Sequence, residues 1–182
     1  ELYSGSASVV VAVLETGVER NHEDLAGANI LEGFDATAGV AGVYGDSTGH
    51  GTAVTGIIAA SVGNGVGVAG ICADVSVYPV KVASGSGSIY SSDLIAGIYA
   101  AADYGADIIN ISLGGYSYSV AEQNAIDYAV SKGCIIIAAA GNDGADSVLA
   151  GRYFYPASYE GVISVASVGP DGSPCRFSQY ND

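Results

Sequence analysis

Ser8–Gly17 reads SVVVAVLETG. The first seven residues form a β-branched, apolar run, and Glu15-Thr16-Gly17 ends it. A short run of this kind, closed by a turn signal, reads as a buried strand. Four more segments read the same way: Val75–Val82 (VSVYPVKV), Ile108–Leu113 (IINISL), Cys134–Ala140 (CIIIAAA) and Val162–Val168 (VISVASV). Apolar runs without alternation imply strands covered on both faces, as in a parallel sheet. Helical patterns lie between them. Leu94, Ile95, Ile98, Tyr99 and Ala102 keep helical spacing after Ser91-Ser92-Asp93, which reads as an N-terminal cap. Ser119 and Glu122 have capping-box spacing, Ala125, Ile126, Ala129 and Val130 share one face, and Gly133 supplies the stop. Thr52–Ala60 (TAVTGIIAA) reads as a third helix. Strand and helix alternate, so the expected fold is α/β: a doubly wound, mostly parallel sheet with helices on both faces. Pro79 has no N–H to give a neighbouring strand. It predicts that Val75–Val82 lies at an edge or carries a bulge.

The chain has 182 residues, 49% of them hydrophobic, which suits one domain with its own core, residues 1–182. No internal repeat or linker divides it, and Ser84–Ser88 (SGSGS) reads as a local loop. Nineteen acidic residues face five basic ones, a net charge of −14. Arg20, Lys81, Lys132, Arg152 and Arg176 stand singly, so nothing here neutralises a row of phosphates. Nucleic acid and anionic membrane are therefore rejected as partners, and a cation suits the balance better. The apolar runs are far shorter than the roughly 20 residues of a membrane helix. Cys72, Cys134 and Cys175 lack metal-ligand spacing and, being three, form at most one intrachain pair.

Three clusters carry chemistry. Asp46–Gly56 (DSTGHGTAVTG) sets His50 between two glycines just ahead of a helix. That placement suits a general base, and equally a plain loop histidine. Glu15 ends an apolar strand, where α/β sheets place their sites; it can orient an imidazolium or simply meet solvent. Ala138–Asp143 (AAAGND) runs off a strand into Gly141-Asn142, either a turn or an amide donor for an oxyanion. His22 sits in a charged loop and reads as a surface residue. Gly65, Gly67 and Gly70 spell a G-x-G-x-x-G pattern, but a helix precedes it and a strand follows, the reverse of a dinucleotide fingerprint.

Taken in order, the acidic strand end, HGT opening a helix, Ser112–Gly115 (SLGG) and Ala139–Asn142 (AAGN) resemble the subtilisin-like serine proteases. The resemblance extends to "VKV" at the end of Val75–Val82, to Tyr155–Ile163 (YPASYEGVI) and loosely to Phe177–Tyr180 (FSQY). It implies acyl transfer from peptide bonds. His50 would be the base, Glu15 would stand at the position of the family's Asp, and Asn142 would give the oxyanion donor. Ser112-Leu113-Gly114 and Ala139-Ala140-Gly141 would hold an extended polypeptide by strand addition. The resemblance also implies a structural Ca²⁺, held by Asp24, Asn64 and the carbonyls of Val66 and Val68. It further suggests a secreted protein.

Two departures stand out. Glu15 is one methylene longer than Asp. The family's Gly-Thr-Ser nucleophile segment is absent, and Ser47, Ser112 and Ser178 lack its strand–turn–helix setting. Both ends look trimmed, the fold being truncated on its C-terminal side. The chain alone is therefore expected to be inactive. A missing segment or second chain would complete the site, or exposed core would drive self-association. The alternative expectation is a pseudoprotease that binds extended peptides without turnover.

Overall fold

The computed structural model describes residues 5–42, 45–144 and 152–180. The first four residues of the N-terminal stub lie outside that set. In chain order the elements are strands β1 (Val10–Glu15), β2 (Asn29–Ile30), β3 (Phe34–Asp35) and β4 (Val40–Ala41), then helix α1 (His50–Ala59). There follow β5 (Ser76–Lys81), α2 (Ser91–Tyr104), β6 (Ile108–Ile111), α3 (Val120–Ser131), β7 (Ile135–Ala139) and β8 (Val162–Val165). The sheet runs β4-β3-β5-β1-β6-β7-β8, with β2 also paired to β5. Every pairing is parallel except β3 with β4. The doubly wound α/β expectation is met. The short β2, β3 and β4 carry too little local pattern to be read from sequence.

The helices divide between the two faces according to the two-residue period of β1. Ala12 and Leu14 point to one side and pack with Ile98 and Ala101 of α2 and Ile126 and Ala129 of α3. Val11 and Val13 point to the other and pack with Val54, Ile58 and Ala59 of α1. Leu14, Ile98, Ile109, Ile111 and Ile126 are fully buried. Each contributes about 1.5–3 kcal/mol. Gly97 lets α2 approach the sheet: a Cβ there would lie 2.6 Å from the Val82 side chain. Coverage on both faces does not extend to the far edge. Ile135 is 51% exposed, Ile163 53% and Val165 50%, so β7 and β8 depart from the expected burial. Among the described residues, α1 is the one helix on that face, and it lies over β1.

Pro79 does not mark an edge. β5 lies inside the sheet, in unbroken register with β1, Pro79 opposite Val13. The Ser76 and Val82 N–H groups donate to Val9 and Glu15 carbonyls, so even-numbered residues turn their backbone groups to β1. Odd-numbered ones face the other way, where Leu31 N–H donates to the Val77 carbonyl. The missing N–H of Pro79 therefore faces the gap between β2 and β3. Gly33 passes through that gap so closely that a Cβ would sit 2.1 Å from the Pro79 carbonyl oxygen.

The helix ends follow the sequence in part. Ser119 caps α3, its hydroxyl accepting from Glu122 N–H, and Gly133 follows with φ 95°. Glu122 does not return to Ser119 as a capping box requires. Ser119 N–H donates to Tyr159 Oη, and Tyr159 donates to Glu122. The expected cap of α2 is corrected: the helix starts at Ser91 behind Tyr90, with no side-chain cap, because Ser91 Oγ donates to Glu122 instead.

Candidate active site

β1 lies between β5 and β6, and the chain winds away from it on either side. The carboxyl end of such a strand is where doubly wound sheets open a crevice. Glu15 is its last residue, buried to 1% exposure. His50 is the first residue of α1, and Thr16 and Asp46 tie that helix start to the strand end. Gly51 N–H donates to Thr16 Oγ1 at 2.9 Å, and Thr16 Oγ1 donates to Asp46 Oδ1 at 2.8 Å. Asp46 also accepts from the N–H and hydroxyl of Thr48, from Gly49 N–H, and from the N–H and hydroxyl of Thr52. Gly49, the N-cap, has φ 83° and no side chain. Asp46 thus takes the Thr52 N–H of the first turn, while Thr48 and Thr16 hydroxyls take those of His50 and Gly51, in place of a capping side chain at Gly49.

The clamp brings Glu15 Oε2 within 2.9 Å of His50 Nδ1. The longer side chain of Glu thus reaches the imidazole. The remaining ring is open, with 57% of the His50 side chain exposed against 1% for Glu15. Thr16 N–H also donates to Oε2, while Oε1 is buried and has no partner among the described residues. Burial pushes the Glu15 carboxyl above its usual range. The His50 hydrogen bond and charge and the Thr16 N–H oppose that rise without cancelling it, and the charge of Asp46 adds to it. Asp46 goes the other way. Its partial burial would raise it, but the donors from Thr52, Thr16 and Gly49 outweigh that and hold it well below the carboxylate range.

The other expected site residues follow the neighbouring strand ends. Ser112, Leu113 and Gly114 leave β6, and Ser112 Oγ accepts from Asn110 Nδ2 at 3.0 Å. Leu113 and Gly114 have no backbone hydrogen-bond partner among the described residues, whereas Gly115 exchanges two bonds with Tyr155, both 2.8 Å. A Cβ on Gly114 would meet the Tyr155 carbonyl oxygen at 2.2 Å. Ala139 ends β7, Ala140 N–H donates to Val165, and the Gly141 carbonyl accepts from Gln179 N–H. Asn142 is exposed and its side chain makes no hydrogen bond among the described residues. Among the described residues no serine hydroxyl bonds to His50. Ser47 donates to Gly85 O and Ser178 to Gln179 O.

The four residues expected to hold a cation come together. Asn64 Nδ2 donates to Asp24 Oδ1 and Val68 N–H to Asp24 Oδ2, both at 2.9 Å, and Val66 N–H donates to Asn64 Oδ1. The Asn64 and Val68 bonds hold the Asp24 carboxyl below its usual range. Its oxygens are thus engaged by the loop itself, although the donor set, one carboxylate, one amide and two carbonyls, is of the type that Ca²⁺ takes. His22 has the ordinary role expected of it: its Nδ1 accepts from Asp24 N–H at the start of a short 3₁₀ turn.

Sequence reasoning missed the clamp. Asp46 was visible only as the head of the His50 cluster, although an Asp three residues before a glycine is an Asx-turn signal. It also missed Gln179, whose Oε1 accepts from Asp143 N–H and Tyr116 Oη and lies where a Cβ on Gly141 would be, at 2.1 Å.

Comparison with known proteins supports the same reading. The chain is 38% identical over 182 residues to Thermophilic serine proteinase from Bacillus sp. (strain AK1), covering 99% of this chain and 43% of that protein. It is 39% identical over 179 residues to Subtilisin DY from Bacillus licheniformis, covering 97% and 62%. Among solved structures it resembles Sphericase, with TM-score 0.87, 34% identity and coverage of 98% and 61%. S41 Psychrophilic Protease gives 0.86, 36%, 97% and 60%. The chain thus spans less than two thirds of the length of these relatives. The subtilase (Peptidase_S8) model matches residues 6–182, and the chain belongs to the subtilase family.

Proposed function

We propose that this chain is the acid–base and peptide-holding part of a subtilisin-like serine endopeptidase, inactive until a nucleophilic serine is brought to His50. The observation that carries this reading is the 2.9 Å contact between Glu15 Oε2 and His50 Nδ1. A sealed carboxylate behind an open imidazole is the arrangement in which a histidine accepts a hydroxyl proton and is stabilised once charged. Asn142 would donate to the oxyanion. The unpaired backbone of Leu113 and Gly114 would take an extended polypeptide by strand addition. Secretion is part of the same proposal. Among the described residues no helix is long and apolar enough to cross a membrane.

A chimera joining the chain to the C-terminal part of Subtilisin DY tests the reading. It is expected to cleave peptides, to lose activity with His50→Ala, and to fall about 10⁴-fold in kcat with Glu15→Ala. A folded but inert chimera would leave a peptide-binding pseudoprotease.

Asp24, Asn64 and the carbonyls of Val66 and Val68 would hold Ca²⁺ as a structural tie between the 3₁₀ turn and the loop after α1. Calcium is then expected to raise Tm over that in chelator, and Asn64→Ala to remove the difference. Equal melting curves for the unmodified chain would count against the ion.

A further inference from the structure

Two stretches far apart in sequence, Gly141–Gly144 and Phe177–Gln179, lie side by side and are tied at both ends. Gln179 N–H donates to the Gly141 carbonyl at 3.0 Å, and Gly144 N–H donates to the Phe177 carbonyl at 2.8 Å. Between these two bonds Asp143 N–H donates to Gln179 Oε1 at 3.2 Å. The same oxygen accepts from Tyr116 Oη at 3.1 Å, and Gln179 Nε2 donates to the Arg152 carbonyl at 3.4 Å. Gln179 is only 4% exposed. A side-chain amide this buried persists where its polar atoms are paired, and here they are paired around one turn. The packing is close: a Cβ on Gly141, where φ is 111°, would lie 2.1 Å from Gln179 Oε1. Gln179 therefore holds the residue on each side of Asn142, Gly141 by its backbone and Asp143 by its side chain. Asn142 itself is exposed, and its side chain makes no hydrogen bond among the described residues. Its place is set by its neighbours. An oxyanion donor works only when it is fixed in advance, about 2.7–3.1 Å from where the charge develops. A misplacement of about 1 Å can cost on the order of 10²-fold in rate.

Resting on the assignment of Asn142 to the oxyanion made above, we infer that Gln179 is a positioning residue of the acyl-transfer reaction. It fixes the backbone of Gly141–Asp143 and so the place of the Asn142 amide, and is too buried to meet the substrate itself.

The chimera with the C-terminal part of Subtilisin DY, assayed on a chromogenic peptide anilide, tests this role. Gln179→Met nearly keeps the volume and removes the acceptor. It is expected to lower kcat about ten- to hundredfold and to leave KM within about twofold, the pattern of an interaction made in the transition state. In a chimera that already carries Asn142→Ala, Gln179→Met should lower kcat no further, because the two changes act on one contact. A glutamine with a merely structural role would lower kcat by the same factor in both backgrounds. That result overturns the inference, as does an unchanged kcat when Asn142 is present. Gln179→Asn, one methylene shorter, draws the acceptor away from Asp143 N–H and serves the same cycle should Gln179→Met not fold. If the chimera is inert, or Asn142→Ala alone leaves kcat unchanged, the reading of the site falls instead. The hold on Asn142 is then judged in the unmodified chain by ¹⁵N relaxation of its backbone amide. Its order parameter should drop from about 0.85 to below about 0.6 with Gln179→Met, and equal values overturn the hold.

Discussion

Asp46→Ala is expected to lower stability by about 2–3 kcal/mol and to loosen the Glu15–His50 contact. Asp46 accepts from Thr16, Thr48, Gly49 and Thr52, and so joins the end of β1 to the start of α1. Losing a helix cap costs about 0.5–2 kcal/mol, and losing hydrogen bonds to a charged group about 1.5–3 kcal/mol. Solvent at this half-buried position screens the charge, which keeps the total below the sum of the separate bonds. The second readout is the NMR signal of the His50 Nδ1 proton, shifted downfield by its carboxylate partner. A loss of stability with that signal unchanged would make Asp46 a cap and nothing more. The pH dependence has a definite sign. The folded-state pKa of Asp46 is depressed. The carboxylate therefore contributes stability above the ordinary Asp value of about 3.9, and that contribution is lost as pH falls toward the folded value. Acid unfolding of Asp46→Asn should be shallower below about pH 4 than that of the unmodified chain.

Gly51→Ala is the second large effect, and its sign is set by competing terms. Alanine is favoured over glycine inside a helix by up to about 1 kcal/mol. At position 51 the new Cβ would lie 2.1 Å from the Gly17 carbonyl oxygen and 2.9 Å from Glu15 Cβ. Backbone must then move, at a cost of about 3 kcal/mol. The displaced group is the strand end that carries the acid, so the Glu15–His50 contact should be lost with the stability. Gly56 of the same helix is the control. Its Cβ would meet nothing within 4 Å, so Gly56→Ala should raise Tm. Thermal melts of the two variants settle both signs. A Gly51→Ala protein as stable as the parent would show that α1 is not packed against β1 as described.

These two positions also mark how far the sequence could be read. In the sequence Gly51 is one of the two glycines that flank His50. The structure adds that it lets α1 touch the Gly17 carbonyl, a contact 34 residues away that no local pattern encodes. The Ser119 cap and the Gly133 stop were legible because their partners lie within a few residues. The cap of α2 was misread, because Ser91 bonds to Glu122, 31 residues on. His50 and Glu15 were legible as candidates from their residue types and their places at element ends. The contact between them required β1 and α1 to be docked.

By itself the sequence determined the alternation of β1, β5, β6, β7 and β8 with three helices. It also determined the parallel sheet, with Glu15 and Asn142 at strand ends and His50 at a helix start. Apolar periodicity and turn residues act over a few positions, and chain order carries the rest. Only the tertiary structure decided that Pro79 sits inside the sheet, its missing N–H turned to the gap at Gly33. It alone showed that Asp46 anchors the site, that Ile163 and Val165 stay half-exposed, and that Glu122 is buried against the hydroxyls of Ser91 and Tyr159. Each of these depends on which distant groups share a neighbourhood, and burial and unpaired polar atoms exist only once the chain has folded.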